Sequence, residues 1–171
     1  MGLFGEVFKG TGESKVSKSG SYFEEGSYKI KIKVAKLIIS QEDKTPFFII
    51  ETEVLESTND KIKPGAERSQ VIDMDNVMGQ PNAKSFIAAV SGVDASNENA
   101  AALVSRYWSK KLGQEISFDQ ICELCVSDAN PLEGTVMDLE CYVRRNKKPR
   151  ADGTFGTFTK HNWLPRDVSK D

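Results

Sequence analysis

Hydrophobic and polar positions alternate strongly from Gly26 to Ser40, in GSYKIKIKVAKLIIS. Tyr28, Ile30, Ile32 and Val34 share one phase, and Lys29, Lys31 and Lys33 the other. A period of two predicts a half-buried strand. The phase breaks near Ala35, after which Leu37 and Ile39 carry the apolar side, and such a slip predicts a bulge that bends the strand. Gln41–Pro46 reads as a turn and Phe47–Ser57 as a second strand, so the two form a hairpin. Thr58–Gly65 is a loop, and Glu67–Asp75 a third strand around Val71, Ile72 and Met74. The period then changes. Ala83, Phe86, Ile87 and Val90 fall on one helical face that stops at Gly92. Asn97–Leu112 predicts a second helix, with Ala100, Val104, Tyr107, Trp108 and Lys111 on one side and Gly113 as its end. Ser117 and Gln120 form a capping box that opens a third helix, whose apolar face is Phe118, Ile121, Cys122 and Cys125. Asn130-Pro131 breaks it. Gly134–Val143 alternates again as a fourth strand, and Phe155–Trp163 is a fifth.

Three strands, a helical insertion and two strands predict a mainly β protein with helices (α+β). The order is that of a five-stranded OB-fold barrel with its helical insertion between strands three and four. Residues 1–21, rich in Gly, Ser and Lys, read as a flexible N-terminal arm in which Phe4 and Phe8 are spaced as one helical face. The barrel domain covers 22–166, with the insertion at about 82–127, and 167–171 form a short tail.

Composition narrows the classes. The chain has 171 residues, 39% hydrophobic and 28% charged, which fits one globular domain. No apolar run approaches the ~18 residues of a membrane span, so no membrane partner is expected. MGLFGEVFKG lacks the charged start and apolar block of a secretory leader. Glu6 stands where a myristoylation signal has Ser or Thr. Three cysteines without framework spacing suit a reducing compartment.

The net charge of −2 excludes a uniformly basic coat, yet the charge is strongly segregated. Leu112–Val143 has no Lys or Arg and seven acids, whereas Arg144–Arg150, RRNKKPR, holds five cations and no acid. That tract is either a solvated hairpin loop or a phosphate-contacting loop. In an OB-fold it falls in the loop between strands four and five, which frames the binding face, and this favours phosphate contact.

The candidate nucleic-acid contacts are therefore Arg144, Arg145, Lys147, Lys148 and Arg150, with Arg68 and the Lys29, Lys31, Lys33 ladder. The ladder has two readings: a positive groove along a nucleic-acid backbone, or cross-strand pairing with Glu51 and Glu53. Phe47, Phe155, Phe158 and Trp163 lie on or near strands two and five and are either core or platforms on which bases stack. Phe47, with Phe155 or Trp163, is the expected platform, because Phe48, Ile50 and Val54 already fill the opposite phase of strand two. Cys122-x-x-Cys125 lacks the second ligand pair of a zinc site and sits on an apolar helix face, so the cysteines read as core. Asp73 and Asp75 are not expected to form a metal site. His161 is the single histidine and nothing marks a nucleophile beside it. No catalytic constellation, metal site or cofactor is expected.

SYFEEGSYKIKIKVAKLIIS, FFIIETEVLEST, NAKSFIAAVSG, NPLEG and FTKHNWLP, in this order, resemble the OB-fold single-stranded-DNA-binding proteins of tailed bacteriophages. The resemblance runs from about Tyr22 to Pro165. It implies a viral protein in the host bacterial cytoplasm that serves phage DNA replication or recombination. It implies binding of single-stranded DNA through a basic groove, without strong sequence preference and without a cofactor. Phage replication or recombination proteins, or further copies of the chain, are the other partners it implies. The chain ends in RDVSKD rather than the acidic tail by which many such proteins recruit partners. Two other functions fit the same residues: a virion structural or assembly protein, and a protein-binding module of a replication complex.

Overall fold

The computed structural model describes residues 22–169 and 171, so the N-terminal arm expected at 1–21 lies outside the described residues. The element order is β1 Gly26–Ile39, β2 Pro46–Ser57, β3 Glu67–Asp73, α1 Gly79–Val90, α2 Ala100–Leu112, α3 Phe118–Cys125, β4 Val136–Arg145 and β5 Thr157–Trp163. The five strands form one antiparallel sheet in the order β3-β2-β1-β4-β5. Fold class is thus α+β, with the helices inserted between β3 and β4.

β1 organises the sheet. Its first half pairs with both β2 and β4, and its second half with β2 alone. The register with β2 slips at Ile32/Val34, where the sequence phase breaks, and also at Lys29/Ile30. The bulges keep both halves of β1 facing the core. Tyr28, Ile30 and Ile32 are buried before the second slip, and Ala35 after it. Core residues of the sheet meet Phe86, Ile87 and Val90 of α1, Val104 and Trp108 of α2, and Ile121 of α3 in one cluster. Phe86 is the centre of this packing, with its ring 6.0 Å from Phe48 on β2 and 5.0 Å from Trp163 on β5.

Local chemistry sets the helix ends. Ser117 and Gln120 form the reciprocal capping box of α3. Gly113 closes α2 at φ 71°, a left-handed conformation that glycine adopts without steric penalty. Gly79 opens α1 where a Cβ would lie 2.4 Å from the Asp73 carbonyl oxygen, so only glycine fits.

No backbone ladder joins β3 to β5 among the described residues, so the sheet does not close into the expected barrel by hydrogen bonding. Side chains and the entering chain bridge the two edges instead. The Trp163 indole donates to Gln70 Oε1 at 2.7 Å. Tyr22 forms a single parallel bridge with Ser69 of β3. Phe23 packs 5.0 Å from Tyr28 and edge-on to His161 of β5 at 6.0 Å.

The chain stays attached beyond Pro165. The Arg166 amide donates to the Ala89 carbonyl and its Nε to the Val90 carbonyl. Arg166 also pairs with Asp171, and both reach the Tyr107 hydroxyl. The C-terminal segment therefore straps α1 to α2.

Candidate nucleic-acid interface

The β4–β5 hairpin is ordered by its own backbone. The ladder runs to Arg145–Thr157 and continues through Asn146 to Gly156 and Arg150 to Thr154. Gly153, at φ +84°, makes the turn. Asp152 accepts hydrogen bonds from the Thr154 amide and hydroxyl, which fix the tip and hold its carboxyl below the usual range. Gly156 is buried because Asn146 and the Arg150 guanidinium pack where its Cβ would be.

All five cations of the tract, Arg144, Arg145, Lys147, Lys148 and Arg150, are exposed, and none forms an ion pair among the described residues. Two are laid on aromatic rings. The Arg145 guanidinium lies 4.3 Å from the Phe155 centroid, and that of Arg144 lies 4.9 Å from Tyr142. Phe155 is 38% exposed and Phe158, which faces Arg144 across the ladder, 48%. Tyr142 faces Lys160 in the next pair of the same phase. One face of the hairpin thus carries two rings and two cations in a checkerboard. Rings of this kind offer π-faces to unstacked bases, and the cations offer charge to phosphates.

The Lys29, Lys31, Lys33 ladder follows the cross-strand reading. Lys29 lies 3.9 Å from Glu56 and Lys31 3.7 Å from Glu53, each its direct partner across the sheet. Lys33 bonds Glu67 of β3, which raises the lysine pKa and lowers that of the carboxyl. Glu51 pairs with Lys36 at 2.7 Å rather than with the ladder. Each of the three lysines therefore has a carboxylate beside it that offsets its charge.

Trp163 also departs from expectation. It is 5% exposed, packed on Phe86 and bonded to Gln70, so it presents no face to a base. Its inward phase on β5 explains this, since the helical insertion covers that side. Arg68 shares the inward phase of β3 with Gln70 and Ile72, donates to the Glu67 carbonyl, and keeps Nε buried. Phe47 is half-buried at the start of β2, opposite Ile38 and Asp73. The hairpin leaves the sheet near Gly26, twelve residues back along β1, which is about 40 Å of strand. The structure therefore brings together the five loop cations and Phe155, and leaves Lys29, Lys31, Lys33, Phe47, Arg68 and Trp163 apart from them.

Sequence reasoning misses Tyr142 and Lys160. Their signal lies in phase: Tyr142 and Arg144 alternate on β4 as Phe158 and Lys160 do on β5, and the hairpin register makes the four neighbours.

The cysteines are free and lie in or beside the core. Burial pushes the thiols up to about 11 at Cys122 and about 12 at Cys125 and Cys141. Such thiols are not poised as thiolates. No group of three or more His, Cys, Asp or Glu among the described residues is arranged to hold a metal. No helix among them is long and apolar enough to cross a membrane. Neither a scan against models of known protein families nor a search of curated proteins finds a match to this chain.

Proposed function

We propose that this chain is a non-enzymatic single-stranded-DNA-binding protein of the bacteriophage OB-fold kind, acting in the host cytoplasm in phage replication or recombination. The observation that carries the reading is the β4–β5 hairpin: five exposed cations that form no ion pair among the described residues, two of them stacked on aromatic rings, beside an exposed Phe158. The strand order supports the OB-type reading, since an OB barrel opened between its third and fifth strands would give the order β3-β2-β1-β4-β5. In this reading the cations hold phosphates and release counterions, while Phe158, Phe155 and Tyr142 stack bases. Single strands are preferred because a duplex keeps its base faces covered. Backbone charge and stacking carry little sequence information, so binding is sequence-tolerant.

The test is fluorescence anisotropy with a labelled ~30-nucleotide single strand and its duplex, over a salt series. Wild type is compared with a variant carrying Arg144, Arg145, Lys147, Lys148 and Arg150 as serine. Salt-sensitive binding that prefers the single strand and is lost in the variant is the expected result. Absence of binding by wild type at low salt refutes the reading and leaves the hairpin to an acidic protein partner.

A further inference from the structure

Outside the hairpin, the sheet surface nearest to it is acidic on balance. Lys29, Lys31, Lys33 and Lys36 point outward from β1, and each is paired with a carboxylate of β2 or β3. Lys29 is moreover flanked on its other side by Asp138 of β4, its register partner there. Glu140, between Asp138 and the hairpin, accepts the Tyr142 hydroxyl hydrogen bond. Going along the outward phase of β4, the charge changes sign at Tyr142, from Asp138 and Glu140 to Arg144.

The pairs on β1 are at least half open to water at one or both partners, apart from the Lys36–Glu51 and Lys31–Glu53 pairs, which are somewhat more covered. Exposed ion pairs contribute little to stability. Their larger effect is on potential: they cancel a stripe of lysines that would otherwise continue the basic hairpin onto the sheet. We infer that Glu53, Glu56 and Glu67 confine the nucleic-acid footprint to the β4–β5 hairpin, and that removing their charge extends it along β1. This inference rests on the single-strand reading above. It makes these glutamates determinants of site size and salt dependence, although none touches the nucleic acid.

The footprint then lies at the short end of the ~4–16 nucleotides that OB-type grooves cover. For single strands the slope of log affinity against log salt is about −0.7 per phosphate neutralised, so five hairpin cations set a limit of about −3.5. Freeing Lys29, Lys31 and Lys33 moves the limit to about −5.6.

The test measures affinity for oligothymidylates of increasing length, over a salt series, in wild type, in the Glu53→Gln, Glu56→Gln, Glu67→Gln triple variant, and in a sixfold variant that adds Lys29→Gln, Lys31→Gln and Lys33→Gln to it, each checked for cooperative thermal unfolding. Wild-type affinity is expected to level off at short lengths. The glutamine-for-glutamate variant is expected to gain affinity at greater lengths, at least tenfold at low salt, with a steeper slope. The sixfold variant, in which both members of each pair are neutral, keeps the net charge of the stripe and is expected to bind as wild type does. Wild-type DNA binding with an unchanged slope in the triple variant, or with the same gain in the sixfold variant that lacks the lysines, overturns the footprint inference and leaves the single-strand reading standing. Failure of wild type to bind any oligonucleotide overturns both.

Discussion

The indole N–H of Trp163 on β5 donates to Oε1 of Gln70 on β3, so one buried hydrogen bond at 2.7 Å joins the two outermost strands of the sheet. Both residues are 5% exposed. Trp163→Phe keeps the packing against Phe86 but leaves the Gln70 oxygen buried without a donor. The expected loss is about 1–3 kcal/mol in denaturant unfolding. Adding Gln70→Leu removes the unsatisfied group, and the double variant is expected to recover most of that loss. A Trp163→Phe protein as stable as wild type would show that the bond does not hold the edges together.

His161 gives a second, pH-dependent expectation. Burial against Phe23 and Cys141 pushes its pKa down from 6.5 to about 4. Between those values the unfolded chain binds a proton that the folded chain excludes. Stability therefore rises with pH across this window, and acidification from about pH 6.5 to 4 removes about 3 kcal/mol. Glu67, Asp94 and Asp152, whose carboxyls lie below their usual range, lose their contribution only at lower pH. Unfolding curves between pH 4 and 7 are expected to flatten in His161→Gln. An undiminished slope in that variant would place the titration elsewhere.

Aromatic substitutions separate platform from core. Phe158→Ala and Tyr142→Ala are each expected to weaken single-strand binding by about 1–3 kcal/mol, roughly 5- to 150-fold. Phe47→Ala is expected to leave affinity unchanged, because Phe47 stands at the far end of β1 from the hairpin. Equilibrium titrations of the three variants decide this, and a loss confined to Phe47→Ala would move the interface to β2.

The cysteines are expected to be inert. With thiols raised to about 12 by burial, Cys125 and Cys141 should react with a disulfide reagent only as fast as the protein opens, and the partly exposed Cys122, raised to about 11, should react more slowly than a free thiol. Time courses in native buffer and in denaturant measure this. Rapid labelling of a cysteine in the native protein would contradict the burial described for it.

Much of the fold is legible in local periodicity. The Tyr28–Val34 alternation, the phase break before Ala35, and the Ser117–Gln120 box each depend on neighbours in sequence, and each is present as an element or a bulge. What depends on partners distant in sequence is less legible. Lys29, Lys31 and Lys33 look like a groove until Glu56, Glu53 and Glu67 are placed beside them. Trp163 looks like a platform on strand five until α1 covers its phase. The closure of β3 against β5 is invisible in periodicity, because side chains and Tyr22–Phe23 make it rather than a ladder. Even the Tyr142 checkerboard needs only the hairpin register, yet that register is set by how the turn around Gly153 closes.

The central claim is that the β4–β5 hairpin is the nucleic-acid interface. Photo-crosslinking of a bromodeoxyuridine-substituted single strand to the wild-type protein, with the adducts located by mass spectrometry, tests it most directly. The account predicts adducts at Tyr142, Phe155 and Phe158. Adducts at Phe47 or along α2, with none in the hairpin, would contradict it.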